Sequence, residues 1–279
     1  MSVKIIVDST VDMSPAAKAR VAAVVPLSVI FGDTEYKDGV TITAHEFYEM
    51  LADREELPTS SQPTPASYAD AFEAATADGS DVVVITISSR LSGSYQGACI
   101  SADDFDGKVL VCDSRSAAVG AGALAEYALQ LADKGMNAQE ILDELNAAKE
   151  KLRIYFMVDT LEYLKKGGRL PGAVAVVGGL LNIKPILAID NGGEIKLISS
   201  ARGLKKAFST LTENASKDEG PDFTKPTLLG YTGTNAENLS KYRAEYSEFW
   251  PAVTGESVVG AAIGVHVGPG AVAVAFFKK

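Results

Sequence analysis

Apolar positions along the chain fall into runs of two kinds. "VKIIV" (residues 3–7), "DVVVITI" (81–87) and "KVLVC" (108–112) are short, rich in β-branched residues and nearly unbroken. That is the pattern of parallel strands buried on both faces. Between and after them lie helix signals. Thr43 with Glu46 three residues on is a capping-box pair, and Thr64–Pro65 is an N-cap followed by proline at the first helical position, with Gly79 as a stop. Long Ala-rich and mixed helices are expected over 117–134, closed by Gly135, and over 137–151. Strand alternating with helix predicts helices on both faces of a parallel sheet.

The second half has a different rhythm. "KPILAIDNGGEIKLIS" (184–199) reads as two strands joined through Asp190-Asn191-Gly192-Gly193, a hairpin signal. A helix over 204–214, a strand near Leu228, a helix over 235–249 and two closing strands follow. In the last of these, "GVHVGPGAVAVAFF" (264–277), His266 is expected at a strand end before a Gly-Pro-Gly turn. The fold expected is α/β: a parallel-sheet domain over 1–152, a second α/β domain with a mixed sheet over 153–279, and a ligand between them.

Composition narrows the function classes. The chain has 279 residues, 47% hydrophobic and 22% charged, so a sizeable core can be built. A formal net charge of −10 argues against nucleic acid as a partner, because phosphate contacts need a basic face. The start "MSVKIIVDST" enters a strand pattern at once, unlike a signal or transit peptide, and "AVAVVGGLL" (173–181) is about half a membrane span, so a cytoplasmic protein without a transmembrane segment is expected. Cys99 and Cys112, placed on a helix and a strand, fit no metal spacing and read as two buried thiols. No metal site is expected.

Three hydroxyl-rich loops carry the candidate chemistry: "PTSSQPTP" (58–65), "SSRLSGSYQGA" (88–98) and "DSRSAAVGAG" (113–122). The last two follow the carboxyl ends of parallel strands, where open α/β sheets bind ligands, and each opens a helix whose free N–H groups attract anions. Ser92, Gly93 and Ser94 would offer hydroxyls and backbone donors there, although capping alone also accounts for serines at helix starts.

Catalytic groups are scarce. There is no G-x-S-x-G elbow and no phosphate-binding G-K-[ST], and the chain has two histidines. His45 falls in the first turn of a charged helix, facing solvent. "VGAGALA" (119–125) lies inside a helix, where small residues suit close packing better than a dinucleotide. Asp8 reads as a loop-capping residue. Two basic clusters, "KKGGR" (165–169) and "RGLKK" (202–206), interrupt the acidic surface and fit either a solvated face or an anionic partner.

"DST", "SSQPTP", "SSRLSGSYQGA", "DS" with "GAG", "LEYLKKGGR", "KPIL" and "GVHVGPGA" occur in this order, and together they make the whole chain resemble the DegV family of bacterial fatty acid-binding proteins. The resemblance implies one long-chain fatty acid, its tail buried and its carboxylate near the domain junction. It also implies presentation to a separate fatty acid kinase, so that acyl phosphate can feed phospholipid synthesis, with no cofactor and no catalysis by this chain. Carried over residue by residue, it assigns the carboxylate to Ser60, Ser92 and His266, with Ser61, Gly93, Ser94 and Gly268 as weaker candidates. Ser60 stands where the family pattern has threonine, which keeps the hydroxyl. Arg202, with Lys205, Lys206 and Arg169, would face the kinase or a membrane acyltransferase. Residues 173–183 are expected to form part of the tunnel wall. At roughly 0.8 kcal/mol per buried CH₂, a sixteen-carbon tail offers on the order of 10 kcal/mol before ordering costs. The rival from the residues alone is a small-molecule hydrolase or transferase using His266 and a loop serine. A binder of some other amphipathic carboxylate would share every feature used here.

Overall fold

The computed structural model describes residues 2–53, 56–170, 182–217 and 219–279. The first half runs β1 (Val3–Asp8), α1 (Pro15–Lys18), β2 (Ala23–Val25), β3 (Ser28–Phe31), β4 (Thr34–Lys37), α2 (Ala44–Ala52), β5 (Thr59–Ser61), α3 (Pro65–Thr76), β6 (Asp81–Thr86), α4 (Ser94–Ala102), β7 (Val109–Asp113), α5 (Ala118–Asp133) and α6 (Ala138–Ala148). The second runs β8 (Leu152–Met157), α7 (Glu162–Lys166), β9 (Ile183–Ile189), β10 (Ile195–Arg202), α8 (Leu204–Lys217), β11 (Leu228–Tyr231), α9 (Glu237–Glu245), β12 (Gly255–Val258), α10 (Ala261–Val267) and β13 (Val272–Phe277).

The three unbroken apolar runs become β1, β6 and β7 of a parallel four-stranded sheet, order β2-β1-β6-β7. Val82, Val83, Val84 and Ile85 of β6 are wholly buried, as a strand covered on both faces requires. The expected caps form: Thr43 with Glu46 and Asn137 with Glu140 close capping boxes, and Thr64 caps α3. The second sheet is mixed, order β10-β9-β8-β13-β11-β12, with only β11–β12 parallel among its pairs. The small residues of "VGAGALA" serve packing. A Cβ at Gly122 would overlap the Asp12 carbonyl, so α5 lies directly on the loop after β1.

The structure differs from the sequence reading in three places. An antiparallel sheet, order β4-β3-β5, joins α2 and packs against α10 rather than on its own half of the chain. His266 is not at a strand end; it lies in the last turn of helix α10. The first five residues of α10 are all buried, so no polar face betrays a helical period. Its N-terminal capping group also comes from far away: Asp38 accepts from the Ala261 and Ala262 N–H groups. The third difference is Cys99, which is half-buried, whereas Cys112 is buried as expected.

Candidate binding site

A cavity of about 290 Å³ opens where the carboxyl ends of the parallel strands face the mixed sheet. Thr10 after β1, Ile87 and Leu91 after β6, and Ala117 and Ala118 after β7 form one wall. Ile154, Phe156, Ile189, Ile195 and Ala273 of the mixed sheet form the opposite wall, with Ile263 of α10 between. The interior is therefore mainly aliphatic. One polar group is made by Ser60, Ser61 and Gln62 from β5 and the turn after it, Ser92 and Gly93 before α4, His266 from α10, and Arg169 after α7, while Thr10, Tyr231 and Thr232 add further hydroxyls to the lining.

Each polar group is set by a local device. The loop after β6 is tied down by Asp8, wholly buried, whose carboxylate accepts from the Ile87 and Thr10 N–H groups at 2.9 Å and from the Thr10 hydroxyl. Burial is the larger influence on that carboxyl and pushes it up to about 6 despite these donors. Ser88 donates to the Gly193 carbonyl at 2.8 Å, docking the β9–β10 turn onto the same loop. Gly193 has φ +82°, and a Cβ there would overlap the Ser88 hydroxyl, so glycine serves the turn and the close approach at once. Ser92 then presents its hydroxyl beside the α4 N-terminus, 2.9 Å from the Ser94 hydroxyl, while Ser94 sits buried behind it.

His266 Nε2 lies 2.8 Å from the Ser60 hydroxyl. Its Nδ1 is buried without a hydrogen-bond partner among the described residues, facing Gly167. Burial, assisted by the Arg169 charge, lowers the imidazole to about 4, so it is neutral near pH 7. Arg169 is fixed by bonds from Nε to the Leu91 carbonyl at 3.1 Å and from Nη1 to the Gly167 carbonyl at 2.7 Å. Permanent positive charge at the polar end thus comes from a guanidinium.

Of the residues singled out beforehand, Ser60, Ser61, Ser92, Gly93 and His266 line the cavity. Gly268 ends α10 at φ +71° against the Tyr163 ring. Arg169, expected with Arg202, Lys205 and Lys206 at a partner surface, is exposed and also lines the cavity. Arg202, Lys205 and Lys206 are exposed at the β10–α8 junction. His45 is exposed, with Glu49 at 3.3 Å. The proposed wall segment 173–183 lies outside the described residues except for Asn182 and Ile183. Sequence reading missed Gln62, although it stands inside a quoted motif; its amide lies against Gly93. It also missed Ala117 and Ala118, which carry no chemistry that a sequence could flag. Among the described residues no His/Cys/Asp/Glu group could hold a metal ion, and no helix is long and apolar enough to cross a membrane.

A family model described as "Uncharacterised protein, DegV family" matches residues 2–279. The chain belongs to the DegV family. A DegV domain-containing protein of Deinococcus radiodurans is 34% identical over 276 residues, covering 99% of this chain and 98% of that one. The fold is similar to that of a DegV family protein from Thermus thermophilus described for its fatty acid binding, with TM-score 0.88, 30% identity and full coverage of both chains. It is also similar to the fatty acid kinase (Fak) B3 protein of Streptococcus pneumoniae loaded with linoleic acid, with TM-score 0.86, 25% identity and full coverage of both. This DegV chain has the α/β architecture of those proteins, a parallel sheet beside a mixed one.

Proposed function

We propose that this DegV protein binds one long-chain fatty acid, its tail in the aliphatic cavity and its carboxylate at the Ser60–Ser92–His266–Arg169 end, and presents that carboxylate to a separate fatty acid kinase in the cytoplasm. The observation that carries this reading is the cavity's division: hydroxyls, one imidazole and one guanidinium gathered around the Ser60–His266 contact, and a remaining lining that is mainly apolar. A carboxylate taken out of water must be hydrogen-bonded or paired. Ser60 can accept from His266 Nε2–H and turn its own proton toward the ligand, Ser92 can donate a second bond, and Arg169 supplies the counter-charge. The likeness to the kinase B3 protein supports the partner. The kinase would transfer the terminal phosphoryl group of ATP to a carboxylate oxygen, and the acyl phosphate would pass on to phospholipid synthesis, with a membrane acyltransferase as the next acceptor. The exposed Arg202, Lys205 and Lys206 suit that docking. We assign residues 1–152 and 153–279 as the two domains between which the ligand lies.

The Ser60–His266 contact also invites the hydrolase reading, and the geometry works against it. A nucleophilic serine needs a basic imidazole oriented by an acid. Here Nδ1 faces Gly167 without an acceptor among the described residues, and the ring titrates near 4.

Organic extraction of the purified protein followed by mass spectrometry should release about one fatty acid per chain. The stripped protein should rebind palmitate, and His266→Gln should weaken that binding about tenfold, the loss of one hydrogen bond to a charged group. A protein that leaves the cell empty and refuses palmitate would overturn the reading.

A further inference from the structure

Helix α10 begins without a cap of its own, because its N-cap residue is Gly260. Its first N–H groups are taken from a distance: Gly260 donates to Asp12 Oδ1 at 3.0 Å, Ala261 to Asp38 Oδ1 at 3.0 Å, and Ala262 to Asp38 Oδ2 at 3.2 Å. Both carboxyls are 4% exposed, and neither lines the cavity. They meet at Gly260, where a Cβ would lie 3.2 Å from Asp38 Oδ2 and 3.5 Å from Asp12 Oδ1. We infer that Asp12 is a positioning residue for the fatty acid site and works as a neutral carboxylic acid, its proton letting two carboxyls sit together over the start of the helix that carries His266. This rests on the fatty acid reading and adds to it a residue outside the cavity and a dependence on pH.

The argument is a count of donors. Asp38 has a partner on each oxygen, since Oδ2 also accepts from the Ser9 hydroxyl at 3.0 Å. Asp12 Oδ2 is buried and has no hydrogen-bond partner among the described residues. Tyr48 of α2, whose hydroxyl faces both carboxyls, donates its proton to the Val259 carbonyl instead, and Tyr231 of β11 lies beside Tyr48. Of the other charged neighbours, Asp8 at the end of β1 adds a like charge, and Lys18 of α1, which favours the ionised form of both acids, is exposed. A buried charged oxygen without a donor costs far more than a neutral acid, so the proton belongs on Asp12. Burial first, then the charge of Asp38, raises that carboxyl well above its ordinary range. One negative charge, on Asp38, suits the helix N-terminus; a second beside it repels the first. Residues Ala261 to Val265 are all buried, so α10 shifts as a unit, and a start that loosens displaces His266 from its 2.8 Å contact with Ser60. The sign follows from the raised value: the contribution of the neutral acid is present at low pH and is lost as pH rises through the folded value. From pH 7 upward His266, near 4, stays neutral and adds no titration of its own.

The test titrates palmitate into the stripped full-length protein at pH 7 and at pH 9, as wild type, Asp12→Asn and Asp12→Ala. Wild type should bind more weakly at pH 9, approaching the loss of about tenfold that goes with one hydrogen bond to a charged group. Asp12→Asn keeps an oxygen for the Gly260 N–H without a charge, so it should match wild type at pH 7 within about twofold and hold that affinity at pH 9. Asp12→Ala leaves the Gly260 N–H bare and should bind about tenfold more weakly at both values. Wild-type affinity equal at the two pH values overturns the inference without recourse to any variant. So does a fall at pH 9 in Asp12→Asn as large as that in wild type, or an Asp12→Ala that binds as Asp12→Asn does; each leaves the fatty acid reading intact. Wild type that refuses palmitate at pH 7 overturns both.

Discussion

His266 is held between two residues of opposite character. Ser60 bonds Nε2 on one side, and on the other Gly167 leaves the space that the ring edge fills; a Cβ at Gly167 would overlap Nδ1. Gly167 has φ −73°, which alanine adopts freely, so Gly167→Ala is a steric change with little backbone cost. It should displace the imidazole and weaken palmitate about tenfold, with the thermal midpoint little changed. Gly93→Ala is the control. Its Cβ would meet the far end of the exposed Gln62 amide, which can swing aside, so affinity should stay near wild type. Equal palmitate affinities of the two variants would show that the ring does not need its present seat. Single residues of this site were legible in the sequence as hydroxyls and a rare histidine in quoted motifs. The contact between Ser60 and His266 was not, because 206 positions separate them and only the fold brings β5 against α10.

At the scale of elements, α10 decides where His266 stands. Its seven residues are too few to hold a helix unaided, so its stability must come from packing and capping. Asp38 and Asp12 supply the caps, accepting from Ala261, Ala262 and Gly260 N–H groups, and Tyr48 donates to the Val259 carbonyl at 3.0 Å. Burial raises both carboxyls, and for Asp12 their mutual charge adds to it. The α2–α10 contact closes on Gly264, where a Cβ would come within 2.5 Å of Phe47 Cε1 and 2.8 Å of the Tyr48 hydroxyl oxygen. Gly264→Ala overpacks this contact, which typically costs about 1–3 kcal/mol. Both the thermal midpoint and palmitate affinity should fall, because His266 moves with its helix. A lowered midpoint with unchanged affinity would mean that α2 yields and α10 stays. Strands and capped helices such as β6 and α3 were readable because their signals are local. The signals for α10 are not: it is buried along most of its length and capped by residues from the other half of the chain.

For the whole molecule, the cavity is a joint between sheets, and this is what the rule for open parallel sheets anticipated: ligands at the carboxyl ends of the strands. What that rule omits is the opposite wall, built from mixed-sheet residues such as Phe156 and Ala273 that read in sequence as ordinary core. A ligand touching both walls stabilises the folded state by mass action, about 2.7 kcal/mol at a hundredfold excess over Kd. For a chain of this size that is roughly 5–10 °C in midpoint. The increment should depend on pH. His266 titrates near 4 when folded and near 6.5 ordinarily, so between those values the unfolded chain holds a proton that the folded chain lacks. The stability of the neutral ring is therefore fully present above pH 6.5 and is lost as pH falls toward 4. A carboxylate beside the ring favours its charged form and recovers part of that loss in the complex. Asp8, raised to about 6 from 3.8, has the opposite sign: its contribution is present at low pH and is lost as pH rises through 6. Its bonds run to the Thr10 and Ile87 N–H groups and to the Thr10 hydroxyl, so it affects empty and loaded protein alike and cancels in their difference. The palmitate-induced rise in midpoint should accordingly be larger at pH 5.5 than at pH 7.5, and His266→Gln should remove most of that dependence. An increment equal at the two pH values in wild type would mean that the imidazole stays neutral in the complex and that Arg169 alone balances the carboxylate.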